Sequence, residues 1–138
     1  MKNSNPSRND PSASASLEPA IRVLMMPRDT NAHGTIFGGI ILSYIDQAGA
    51  VATYQVGCRK VVTVAMDKVE FHEPVHVGDL VSFYAEIETI GRSSITALVR
   101  VVSQERESGR DVLVTEAEVT YVNVDEEGHP VPIPRPQD

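Results

Sequence analysis

The chain has one cysteine, Cys58, in 138 residues, so no disulfide can form within it and cross-links are excluded as the source of its stability. Basic residues are also scarce, with 12 Lys and Arg against 19 Asp and Glu and a formal charge of −7. A broadly basic surface for nucleic acid is thereby excluded, although a local basic pocket for an anionic ligand is not. No apolar run approaches the roughly 20 residues that cross a bilayer as a helix, so no membrane span is expected. Met1–Ser16 lacks the hydrophobic segment of a secretory signal. With the lone cysteine, this points to a reducing cytoplasm. The length suits one domain with its own core.

Residues 1–16, rich in Ser, Asn and Pro, are expected to be a disordered tail, and residues 17–127 the domain. Residues 128–138 hold too many prolines for a helix or a central strand and are expected to run extended over the surface. Ile21–Met25 is a short strand candidate. From about Gly38 to Tyr54, apolar residues recur at helical spacing, at Ile41, Tyr44 or Ile45, Ala48 and Val51 or Ala52. Gly57 is placed to stop that helix. Everything after it reads as strand. Val61 to Phe71 is β-branched, and Leu80 to Ile90 alternates with Val81, Phe83, Ala85 and Ile87 on one face. Ile95, Ala97, Val99 and Val101 repeat the alternation, and so do Leu113, Thr115, Ala117, Val119 and Tyr121. Turn residues separate the runs at 73–79, 91–93 and 108–110. The sum is an α+β arrangement, one long helix wrapped by a twisted five-stranded antiparallel sheet, which is the hotdog fold. Such a sheet leaves an edge that tends to be paired, so a dimer with the sheet continued across its interface is expected.

Chemistry is concentrated between Arg28 and Gly49. Asp46 stands about two turns inside an otherwise apolar helix, and a charge is costly to desolvate there unless something uses it. Its neighbours at helical spacing are Gly39, Leu42, Ser43, Gly49, Ala50 and Thr53, a mostly small stripe that lets another chain or a ligand approach. A carboxylate there can activate water or attack a carbonyl; the same position also reads as a solvated outer-face residue. Gly38 and Gly39 open the helix with unhindered amides and the positive end of its dipole, which suits an oxyanion, or they merely permit a tight turn. Asn31 in the preceding loop can orient water or polarise a carbonyl, or shape a turn. His33 reads as an exposed loop residue. His72, His76 and His129 have no carboxylate or cysteine spacing that suggests a metal site, and Cys58 lacks the companions of a nucleophile. Arg59, Lys60, Lys68 and Arg92 can meet phosphates, or be solvated surface charge.

Asp29-Thr30-Asn31-Ala32-His33-Gly34-Thr35-Ile36-Phe37-Gly38-Gly39, followed by Ile45-Asp46-Gln47-Ala48-Gly49, resembles the signature of the YciA-type and cytosolic brain-type acyl-CoA thioesterases. The likeness continues through Val61–Ala65, Phe71–Asp79, Gly91–Ser94 and Thr120–Asp125, and spans roughly residues 20–134. It implies a hotdog dimer with two sites at its interface, often assembled as a trimer of dimers, that hydrolyses acyl-CoA to free CoA and a carboxylic acid. It places the essential carboxylate on Asp46, the paired asparagine on Asn31 of the other protomer, and the oxyanion donors on Gly38 and Gly39. It places contacts to the CoA moiety around Val64, Arg92 and Ser93. No cofactor or metal is implied, since CoA belongs to substrate and product. The alternative is an acyl-CoA-binding or sensing hotdog protein without turnover. A dehydratase is disfavoured because the helix contains no histidine.

Overall fold

The computed structural model describes residues 18–134. The tail expected at 1–16 and the last four residues of the proline-rich end lie outside them. Five strands and one long helix follow in the order β1 (Ile21–Leu24), α1 (Gly38–Gln55), β2 (Val61–Phe71), β3 (Leu80–Ile90), β4 (Ser94–Gln104) and β5 (Asp111–Asn123). All pair antiparallel in one sheet of order β1-β3-β4-β5-β2, and α1 lies chiefly across β3 and β4. This is the expected hotdog architecture. The helix is held by Ile41, Ile45, Ala48 and Ala52, which face the sheet at helical spacing and are buried. From the sheet, Val81, Phe83, Ile95, Ala97, Val99, Val101, Ala117 and Val119 meet them. Gly57, at φ +103°, ends α1 as expected: its amide bonds the Tyr54 carbonyl.

Of the departures from simple periodicity, three bear on the site and the core. Val101 pairs with Thr115 but Val102 with Leu113, so Val114 is an extra residue in β5. The bulge buries Val114 beside Thr115 and leaves Leu113 only half-buried, outside the inward row expected of it. A second bulge puts Val64 between the Thr63–Tyr121 and Ala65–Thr120 pairs of β2 and β5. The proline-rich segment lies along the sheet end, with the Val131 amide bonded to Asn123 O and the Ile133 amide to Arg92 O. It does more than cover the surface, because Ile133 is buried in the core.

The two sheet edges are unequal. β1 has four residues, whereas β2 has 11 and exposes Val62, Val64 and Phe71. A long apolar edge of this kind is a template for pairing with another chain.

Gly49 sets the distance between helix and sheet. A Cβ there would collide with the Tyr121 hydroxyl, which donates to the main-chain oxygen of Asp46 at 2.6 Å. Neither group can yield without lifting α1. Gly49→Ala is therefore expected to destabilise the fold by about 1–3 kcal/mol, read from urea unfolding; an unchanged midpoint would show that the helix is not seated there.

Candidate active site

The burial of Ile45 and Ala48 fixes the rotation of α1 and leaves Asp46 half-buried at its flank, over the start of β2. Thr63 of β2 donates its hydroxyl to Asp46 Oδ1 at 2.7 Å. Tyr121 of β5 holds the Asp46 main chain from below. Burial of the phenol, and then the neighbouring Asp46 carboxylate, push the Tyr121 pKa well up, so it remains a neutral donor. Thr63 thus orients the carboxylate, and Tyr121 anchors the helix turn that carries it. The small-residue stripe is only partly an open approach. Gly49 is filled by Tyr121, and Thr53 is fully buried with its hydroxyl on the Ala50 carbonyl at 2.7 Å. Gly39 and Ser43 remain exposed.

At the other end of this face, α1 starts without a side-chain cap. Ile40 supplies its first bonded amide, to Phe37 O at 3.0 Å, and among the described residues the N–H groups of Gly38 and Gly39 have no acceptor. The entry is fixed by the Phe37 amide on Asp29 O and the Ile36 amide on Val75 O, both 2.8 Å. Two free amides at the positive end of a helix are a prepared anion site. Seven residues separate Gly39 from Asp46, about 10 Å of helical rise. The amides and the carboxylate of one chain therefore do not converge on one carbonyl.

Asn31 shapes its own loop. Its Oδ1 accepts the amides of His33 (2.7 Å) and Thr35 (3.2 Å), and its Nδ2 donates to Thr35 Oγ1 (2.9 Å). This is the turn-forming use of asparagine, and it leaves one amide hydrogen uncommitted. His33 is exposed, as expected.

Val64 and the Arg92–Ser93 turn lie toward the same end of the sheet but are not brought together within one chain. Val122 of β5 pairs with Val62 of β2 on one side and Ser94 of β4 on the other, so the Arg92–Ser93 turn stands two strand spacings, about 10 Å, from β2. Val64 and Arg92 are exposed, and Ser93 is tied by its carbonyl to the Asn123 amide at 2.8 Å.

The amide end opens on a groove of about 330 Å³ walled by Ile36, Ile41, Phe71 and Val75, with Gly38 and Thr115 also lining it. Phe71 packs its ring toward Gly38.

The histidines acquire partners that linear spacing does not reveal. His72 Nε2 lies 3.6 Å from carboxylate oxygens of both Glu70 and Glu116, and His129 Nδ1 lies 3.7 Å from Asp125. The Glu70–His72–Glu116 and Asp125–Glu127–His129 clusters are each small enough to hold an ion, and each consists largely of exposed surface side chains. Cys58 is buried, which pushes its thiol pKa up and away from nucleophile chemistry.

Thr63 and Tyr121 escaped the sequence reading. A threonine in a valine-rich strand and a tyrosine on an inward row carry no local mark of contact with a helix carboxylate.

The sequence pattern of the thioesterase superfamily matches residues 33–110. The acyl-CoA thioester hydrolase YciA of Salmonella typhimurium is 40% identical over 120 residues, covering 85% of this chain and 90% of that one. A hexameric hotdog fold thioesterase of Campylobacter jejuni superposes with a TM-score of 0.81 at 45% identity, covering 84% of this chain and 90% of that one. A hexameric thioesterase of Yersinia pestis superposes with a TM-score of 0.82 at 43% identity, covering 86% and 97%.

Proposed function

The chain belongs to the thioesterase superfamily, and from that premise we propose that it hydrolyses acyl-CoA thioesters to free CoA and a carboxylic acid at sites shared between two copies of itself. One observation carries the shared site. The oriented Asp46 carboxylate and the free Gly38–Gly39 amides lie on one helix face but about 10 Å apart, too far to act on the same carbonyl.

A second copy closes the gap. In a two-fold dimer the edge strand β2 pairs antiparallel with its own copy. Pairing about the middle of the strand brings the Thr63 end of one protomer, with Asp46, beside the Phe71 end of the other, with Gly38 and Gly39. The exposed Val62, Val64 and Phe71 are then covered. The hexameric relatives support a trimer of such dimers.

In this arrangement the thioester oxygen rests on the Gly39 and Gly38 amides of one protomer. Asp46 of the other acts as base or nucleophile, held by its Thr63 bond. As base, it takes a proton from water as the water oxygen bonds to the carbonyl carbon. The oxyanion on the amides then collapses, expels the CoA thiolate, and the proton passes from Asp46 to sulfur. As nucleophile, it forms an anhydride with the acyl group and releases the thiolate, and water then cleaves the anhydride. Asn31 of the amide-bearing protomer offers its uncommitted amide hydrogen to the water. Val64, Arg92 and Ser93 hold the CoA moiety at the carboxylate end, with the Arg92 guanidinium suited to phosphate. No resident cofactor takes part, since CoA enters with the substrate. The reaction is assigned to the cytoplasm on the lone thiol, which fits a reducing compartment.

A panel from acetyl-CoA to palmitoyl-CoA, read by a thiol-trapping dye, tests the reading. Thiol release from at least part of the panel is expected, and the buried Cys58 adds little background. Binding of acyl-CoA without release would instead identify a sensing protein.

A further inference from the structure

Among the described residues, Thr115 Oγ1 is the one buried side-chain polar atom without a hydrogen-bond partner. Buried hydroxyls are nearly always bonded, and leaving one unmade is costly. Thr115 is 1% exposed and sits on β5 between Phe71 of β2 and Val101 of β4. It lines the groove that Gly38 also walls. The side chains of Ile36, Ile41, Phe71, Pro74 and Val75, which wall the groove with it, offer a hydroxyl no partner. His72 and Glu73, also on the groove, are exposed and can be hydrated. Thr115 Oγ1 is buried at the groove wall without a partner, and its χ1 has three staggered wells in which to direct the hydroxyl.

The groove's volume of about 330 Å³ falls at the small end of ligand pockets, roughly 300–1,000 Å³. It begins beside the amides assigned to the thioester oxygen, so an acyl chain leaving that carbonyl enters it. A plain alkyl chain satisfies the apolar walls and leaves Oγ1 unpaired. A chain bearing its own oxygen satisfies both.

We infer that Thr115 is a specificity-determining residue, selecting short acyl groups that carry a hydroxyl or keto oxygen on the chain. This rests on the thioesterase reading, and the experiment separates the two. Hexanoyl-CoA is compared with its 3-hydroxy, 5-hydroxy and 3-keto derivatives in the wild type, Thr115→Val and Thr115→Ser. In the wild type, kcat/KM for at least one oxygenated derivative is about tenfold above hexanoyl-CoA, the yield of one hydrogen bond made in a sealed site. Thr115→Val brings that ratio to near one, whatever its effect on hexanoyl-CoA hydrolysis itself. Thr115→Ser, which keeps the hydroxyl, keeps the preference and shows that position 115 tolerates change. Hydrolysis of hexanoyl-CoA with no preference for any oxygenated derivative, or a preference that survives Thr115→Val, overturns the role of Thr115 and leaves the thioesterase reading standing. No hydrolysis of any of the four overturns the role of Thr115, and it overturns the thioesterase reading as well only if the panel from acetyl-CoA to palmitoyl-CoA also releases no thiol.

Discussion

Asp46→Asn is expected to abolish nearly all thioester turnover while leaving the fold and CoA binding intact. The substituted side chain keeps an oxygen at Oδ1, so the 2.7 Å bond from Thr63 survives. The Tyr121 bond goes to the main chain and is untouched. Asp46 is only half-buried, so loss of its charge changes stability little. What disappears is the group that accepts a proton or bonds to carbon. Removing a positioned base typically costs about 10²–10⁴ in rate. The check is kcat for the best substrate of the panel, with CoA affinity by calorimetry and the unfolding midpoint as controls. Near-wild-type turnover would falsify the assignment of Asp46.

Gly39→Pro is expected to lower kcat by about 10²–10³, the usual cost of losing one oxyanion donor. Among the described residues the Gly39 amide has no acceptor, so proline there breaks no helix bond, and the first helical turn tolerates its ring. A Cβ at 39 lies 2.9 Å from the Phe37 ring, and that ring, 55% exposed, is free to swing away. Gly39→Ala controls for the added carbon. It imposes the same contact, keeps the N–H and is expected to retain most activity. Equal losses in both variants would assign the defect to crowding and remove the amide from the mechanism.

Much of this was legible in the chain. The 3.6-residue recurrence through Ile41, Ile45 and Ala48 defines α1, and the two-residue alternation through Ile95–Val101 defines β4. Both are local patterns that burial imposes on the sequence. The bulges at Val64 and Val114 were not legible, because an extra residue in one strand is defined only by its partner strand. Ile133 reads as one apolar residue among prolines until the chain folds back to place it in the core. Asp46 stood out because a carboxylate inside an apolar helix is conspicuous. Thr63 and Tyr121, 17 and 75 residues further along, did not, since their meaning is a distance. The glycine pair suggested an anion site, and its separation from Asp46 along the axis is the gap that the proposed second chain bridges.

Co-expression of Asp46→Asn with Gly39→Pro tests that requirement most directly. If each site takes its carboxylate from one protomer and its amide from the other, every mixed dimer carries one doubly altered site and one intact site. A random mixture then recovers about one quarter of wild-type activity, from two variants that are each nearly inactive. Recovery at that level is the predicted result. If carboxylate and amide serve the same site from one chain, every site in a mixed dimer is broken. Activity no higher than that of the separate variants, with mixed dimers confirmed by native mass spectrometry, would contradict the shared site.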